Sequence, residues 1–245
     1  MTRSSEDQYA DHHELAVAMR RPVVDRFLTA GILVLFVAHA LGQFSEHVLD
    51  HPNLKGLVPR FNMNGELSFS TWYATVLLIA CAGVLGLIAL HASRTADPST
   101  WAWVGLTLLF TYFALDEGVA IHELTIVPLR DALGIGEGWL FFAWVIPAAI
   151  AIVAIGLVYR SFVYSLPAPT RRGLLLGAGL FVGGGIGVET VSGWYLSTQG
   201  DDYGYEMIGG LEEVLELKGV VIMLGTFLGH IGRAIGNIRF IVSPL

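Results

Sequence analysis

Asp116, Glu117, His122 and Glu123, then Glu189, then Glu212, Glu213 and Glu216 are ionisable residues set inside or at the rim of strongly apolar stretches. An ionised group at bilayer depth costs about 2.5 to 3.5 kcal/mol even on lenient insertion scales, so seven carboxylates and a histidine demand compensation. Lys218 is the one basic residue among them. The charge must therefore be met by bound metal, by bound protons or by a water-filled cavity. Carboxylates with one or two imidazoles suit a divalent metal ion such as iron, manganese or zinc, and two such ions can share bridging carboxylates. Asp116, His122, Glu123, Glu189, Glu212 and Glu216 are accordingly the candidate metal ligands, with His39 and His47 of the first apolar stretch able to complete the set. Glu213 is the candidate catalytic proton carrier, and Tyr112, one turn before Asp116, is the second candidate catalytic group.

Plainer roles stand beside these. Glu117 and Glu123 can end a helix at a water interface, and Glu212 and Glu213 can lie shallow enough to be hydrated. His39 can be a hydrogen-bonded core histidine and His47 a loop residue. The glycines at 183, 184, 185 and 187 follow no phosphate-binding pattern and are explained by close helix packing.

The elements that must position these side chains follow from composition. Of 245 residues, 54% are hydrophobic and 14% charged, against about 25% charged in an ordinary soluble domain. Stretches of about 20 apolar residues occur near 26–45, 70–92, 100–122, 139–159, 173–195 and 208–232. The expected fold is all-α: a polytopic integral membrane protein with a six-helix transmembrane domain over 26–232. It is flanked by an N-terminal segment (1–25), with a short helix between Ser4 and Arg21, and a tail (233–245). Arg20, Arg21, Arg26, Arg94, Arg160, Arg171, Arg172, Arg233 and Arg239 fall on one side and only Lys55, Arg60 and Arg130 on the other. By the positive-inside rule both termini are cytoplasmic, in a multi-pass protein of the cell membrane. Ala38-His39-Ala40 has the form of a signal-peptide cleavage site, but the long acidic leader before it does not fit that layout. The lone Cys81 leaves metal chemistry to oxygen and nitrogen ligands, and the net charge of -7 argues against a nucleic-acid partner.

Depth follows from the rise of 1.5 Å per residue. Asp116 lies roughly 24 Å along the third span and Glu189 at a similar height in the fifth, while Glu212 and Glu216 lie roughly 6 and 12 Å below the start of the sixth. All three helices thus deliver acids to one layer on the extracytoplasmic side. A loosening of the third helix at Gly118 would let His122 turn in, whereas Lys218 points away from the groove. The acidic loop Ser197–Tyr205 lies over the layer, where Asp201 and Asp202 can steer cations inward.

The ligand tally resembles that of the soluble carboxylate di-iron bundles, without their Glu-x-x-His signature. The chain also looks like the seven-helix membrane hydrolases that include alkaline ceramidases and adiponectin receptors, in being small and polytopic with buried His and Asp. Two functions are compatible with the residues. One is a membrane-embedded metalloprotein, a metal-dependent oxidoreductase or hydrolase acting on a lipid or apolar small-molecule substrate. The other is a cation or proton-coupled transporter using the same carboxylates.

Overall fold

The computed structural model describes residues 21–234 and Gly236. The helix expected between Ser4 and Arg21 and most of the 233–245 tail lie outside these residues. Every regular element among the described residues is helical. α1 (Arg21–His47) leads through the short α2 (Leu57–Phe61) to α3 (Phe69–Arg94), which starts where Ser68 Oγ accepts the Thr71 N–H at 3.2 Å. α4 (Thr100–Val119) is followed by a tight turn at His122–Thr125 and by α5 (Ile126–Leu133). α6 (Val145–Ser165) precedes α7 (Ala168–Val182), which continues through a widened π-turn, Gly183–Val188, into α8 (Glu189–Gln199). The last helix is α9 (Tyr203–Ala234).

Five runs, Arg21–His47, Phe69–Arg94, Val145–Ser165, Ala168–Gln199 and Tyr203–Ala234, are long and apolar enough to cross a membrane. The third expected span differs. It qualifies only when α4 is joined to the following segment His122–Leu133, from which it is bent by 75°. The break has a local cause: Ala120 takes a left-handed conformation (φ 51°, ψ 50°), ending the helix just past Gly118. The fourth run starts at Val145, not near 139, because residues 135–144 form turns that include Gly138 at φ 99°. Pro147 then sits in the first turn of α6, where its missing N–H would have had no partner.

The long elements alternate in direction. His39 in the second half of α1 meets Glu206 at the start of α9, Trp144 before α6 meets Glu189 at the start of α8, and Thr170 at the start of α7 meets His230 near the end of α9. α9 lies at the centre, against α1, α3 and α7, with Leu217, Val221 and Phe227 buried. Two glycines set its approach to α7: a Cβ on Gly177 would lie 2.8 Å from the Gly219 oxygen, and one on Gly219 would lie 2.6 Å from the Gly177 oxygen. The backbones touch there, as small residues permit.

The two ends of the bundle differ in chemistry. Toward the ends of α3 and α9 the interior is apolar, built on Cys81, Leu85, Phe110 and Phe227, with the last two rings edge to face at 5.6 Å. His230 closes that end, its ring 4.9 Å from Trp103 and its Nδ1 3.3 Å from Thr170 Oγ1. Toward the ends of α1 and α4 and the start of α9 the interior is polar. α6 sits at the periphery and turns Ile150, Val153, Leu157 and Val158 outward.

Candidate functional site

The end of α4 is organised by Asp116. After the left-handed Ala120 the chain folds back, so that the His122 N–H donates to Asp116 Oδ1 at 2.9 Å and His122 Nδ1 lies 2.9 Å from Oδ2. A carboxylate partner fixes the proton on Nδ1 and leaves Nε2 as the free lone pair. Metal-binding histidines are oriented by carboxylates in this way. The expectation made Asp116 itself a ligand; the geometry instead engages both its oxygens with His122. The His122 ring rests 4.6 Å from the Trp144 ring, and the Trp144 indole N–H donates to Glu189 Oε1 at 2.7 Å. α4, the bent segment, the start of α6 and α8 are thereby tied together.

α9 supplies the other acids. Ser192 Oγ donates to Glu212 Oε2 at 3.4 Å. Glu216 lies against the π-turn: a Cβ on Gly184 would meet Glu216 Cγ at 2.7 Å, and one on Gly185 would meet its Oε1 at 2.6 Å. These glycines therefore admit a carboxyl group to the helix surface as well as allowing close packing. Glu213 is within electrostatic reach of Glu117, Glu66 and Glu189, and Glu216 of Glu212, Glu213 and Glu117. The acids expected in one layer are neighbours in the fold.

Two members of the neighbourhood were not expected. Glu66, in the loop before α3, hydrogen-bonds the Glu123 carboxyl. Although the residue is open to solvent, its carboxyl group is partly desolvated; this, then the bond to Glu123 and the nearby negative charge, pushes its pKa up to about 7. The second is Trp144, whose role depends on the bend after α4. A loop acid and a tryptophan carry no spacing signal that could have marked either.

No lysine or arginine neutralises the layer among the described residues, whose ion pairs are Arg21–Asp25 and Asp116–His122. Lys218 Nζ donates to Thr29 Oγ1 on α1 at 2.7 Å, away from the acids.

The remaining candidates lie elsewhere. His39 is fully buried; its Nδ1 accepts the Met63 N–H at 3.1 Å, so Nε2 carries the proton and donates to the Glu206 carbonyl at 2.9 Å. Neither nitrogen is left for a metal. Tyr112 is 46% exposed on the outer face of α4. His47 is grouped with Asp201 and Glu206, one ligand atom from each lying within 4.8 Å of the others, and among the described residues no trio of the acid layer converges so closely. Asp202 caps α9: it accepts the Tyr205 N–H at 2.9 Å, which holds its carboxyl below the usual range.

Residues 27–230 match the family described as Domain of unknown function (DUF8692), and the chain belongs to that family. No curated protein and no solved structure matches it.

Proposed function

We propose that this member of the DUF8692 family is a membrane-embedded metalloprotein, an enzyme whose carboxylate and histidine groups hold a divalent iron, manganese or zinc ion near the extracytoplasmic face. The observation that carries the reading is the acid layer itself: Glu117 and Glu189 lie within electrostatic reach of His122 and, in turn, of Glu213 and Glu216, with Glu212 beside Glu189, and no lysine or arginine among the described residues pairs with them. A bound cation or protons would supply the missing charge. His122 Nε2, aimed by Asp116, with Glu189, Glu212 and Glu216, offers a nitrogen and carboxylate set of the kind these metals take. A bound metal would supply activated water or oxygen. Glu213, among acids and without a hydrogen-bond partner in the described chain, is the proton carrier. The apolar outer face of α6 and its long neighbours support a lipid setting and a lipid or apolar substrate. The excess of basic residues in one set of loops supports a cytoplasmic position for both termini.

Elemental analysis of the protein purified in mild detergent tests this. Stoichiometric metal is expected, lost in His122→Ala, Glu189→Gln and Glu216→Gln at unchanged expression. Wild-type metal content in all three variants would remove the proposal.

A second reading, a proton-coupled or cation transporter, is favoured by two observations: among the described residues the layer's ligand atoms do not converge as a trio, and the Glu66 carboxyl, partly desolvated beside Glu123, has its pKa pushed up to about 7. Metal-free protein that takes up protons near neutral pH would select it.

A further inference from the structure

We propose that His47, Asp201 and Glu206 form a separate divalent-cation site that fastens the end of α1 to the start of α9. The three come from distant parts of the chain, yet one ligand atom from each lies within 4.8 Å of the other two. His47 is the last residue of α1, Asp201 follows Gly200 in the turn after α8, and Glu206 lies in the first turn of α9. The immobile member is Glu206, 6% exposed, with its Oε2 accepting from Asn64 Nδ2 at 3.3 Å and its carbonyl accepting from His39. A carboxylate steadied by an amide is the usual state of a metal-ligating one. His47 and Asp201 are exposed and free to rotate toward it. At metal–ligand distances of about 2.0 to 2.2 Å, tetrahedral ligand atoms stand about 3.4 Å apart, so these two side chains need close by little more than about an ångström.

A second observation points to the same place. Gln43, one turn before His47 and one turn after His39, is 1% exposed, and among the described residues neither its oxygen nor its nitrogen has a hydrogen-bond partner. Residues at this spacing share a helix face, here the one that His39 shows to meet α9. A buried amide without partners is costly, and the water of a cation held by His47, one turn further along the same face, would offer one. One imidazole with two carboxylates suits a first-row divalent ion such as zinc or manganese, and three protein ligands leave a position for that water.

The site shares no residue with the acid layer, so either can fail alone. The test uses the full chain in mild detergent with Zn²⁺ as probe, titrated against a competing chelator and followed by thermal unfolding with and without the ion. Wild type is expected to bind Zn²⁺ and to melt higher in its presence. His47→Ala and Asp201→Asn should each weaken this binding at least about tenfold and erase the shift, as loss of one of three ligands requires. Glu216→Gln should lose at most the Zn²⁺ equivalent that the acid layer holds, and should keep the equivalent and the melting shift that depend on His47 and Asp201. Asp201→Asn changes an exposed turn residue, so it remains informative if His47→Ala does not fold. Binding and a melting shift unchanged in both variants, or lost in Glu216→Gln alone, would overturn the proposal, as would wild-type protein that takes up no Zn²⁺.

Discussion

Asp116 and His122 show how far a side chain's role depends on what it touches. The sequence offered Asp116 as a ligand in its own right, but the fold spends both oxygens on His122, one on the backbone N–H and one on the ring. Asp116→Asn should therefore weaken metal binding by about 10- to 100-fold, the usual effect of losing an orienting partner, where His122→Ala abolishes it; a competition titration separates the two. His39 behaves in the opposite sense. Its replacement by Ala strands the Met63 N–H and the Glu206 carbonyl, at about 1 to 3 kcal/mol for each orphaned group, and should lower the melting temperature with little effect on the metal of the acid layer. Glu66 gives a dependence on pH. Its pKa rises from an ordinary 4.5 to about 7, so between these values the folded chain holds a proton that the unfolded chain releases. The stabilisation that goes with the protonated carboxyl, set first by its desolvation and then by its contact with Glu123, is therefore fully present below about pH 4.5 and is lost as the pH rises through about 7. The groups around it are Glu123, Glu117, His122 and Glu213. Hydrogen exchange in 120–133, corrected for its intrinsic pH dependence, should be faster at about pH 8.5 than at about pH 5.5, and Glu66→Gln should flatten the difference. Equal exchange at both values in wild type would dissociate Glu66 from the bent segment.

At the scale of elements, the apolar runs were legible because burial in a helical bundle and length near 20 residues leave a strong signal, and α1, α3 and α9 lie where that signal put them. The break at Ala120 was legible only as a weakness at Gly118, since a left-handed alanine follows from the capture of His122 by Asp116 and not from alanine itself. The widened turn at Gly183–Val188 was not legible at all. Four glycines mark a place where helices can touch, but which carboxyl lies against them depends on the partner helix. Gly177→Ala drives a methyl group into the α9 backbone and should destabilise the bundle by about 1 to 3 kcal/mol, as overpacking does. Gly83→Ala, with nothing within 4 Å of the added carbon, is the control and should leave stability unchanged or raise it by up to about 1 kcal/mol. Denaturation of both variants in the same detergent measures the contrast.

Over the whole molecule, the alternating direction of the helices brings the end of α4 and the starts of α6, α8 and α9 to the acid layer, the arrangement that the depths of the acids required. The gathering of acids was readable from the sequence because it needs only helix direction and rise. Exclusion of His39, entry of Glu66 and the grouping of His47 with Asp201 and Glu206 depend on loops, where rise and direction say nothing. Reporters fused after Arg60, Arg130 and Tyr203 should read outside and those after Thr95 and Ala168 inside; a reversed reading at Arg130 would mean that the bent segment turns back without completing a crossing. The division between a polar end and an apolar end bears on traffic through the protein. Leu85, Phe110, Val221 and Phe227 fill the space beneath the acids, and His230 is engaged with Thr170 beyond them. Among the described residues the acid layer thus rests on an apolar floor: on the proposed enzymatic reading it is a cul-de-sac, where an ion or proton departs by the door through which it came.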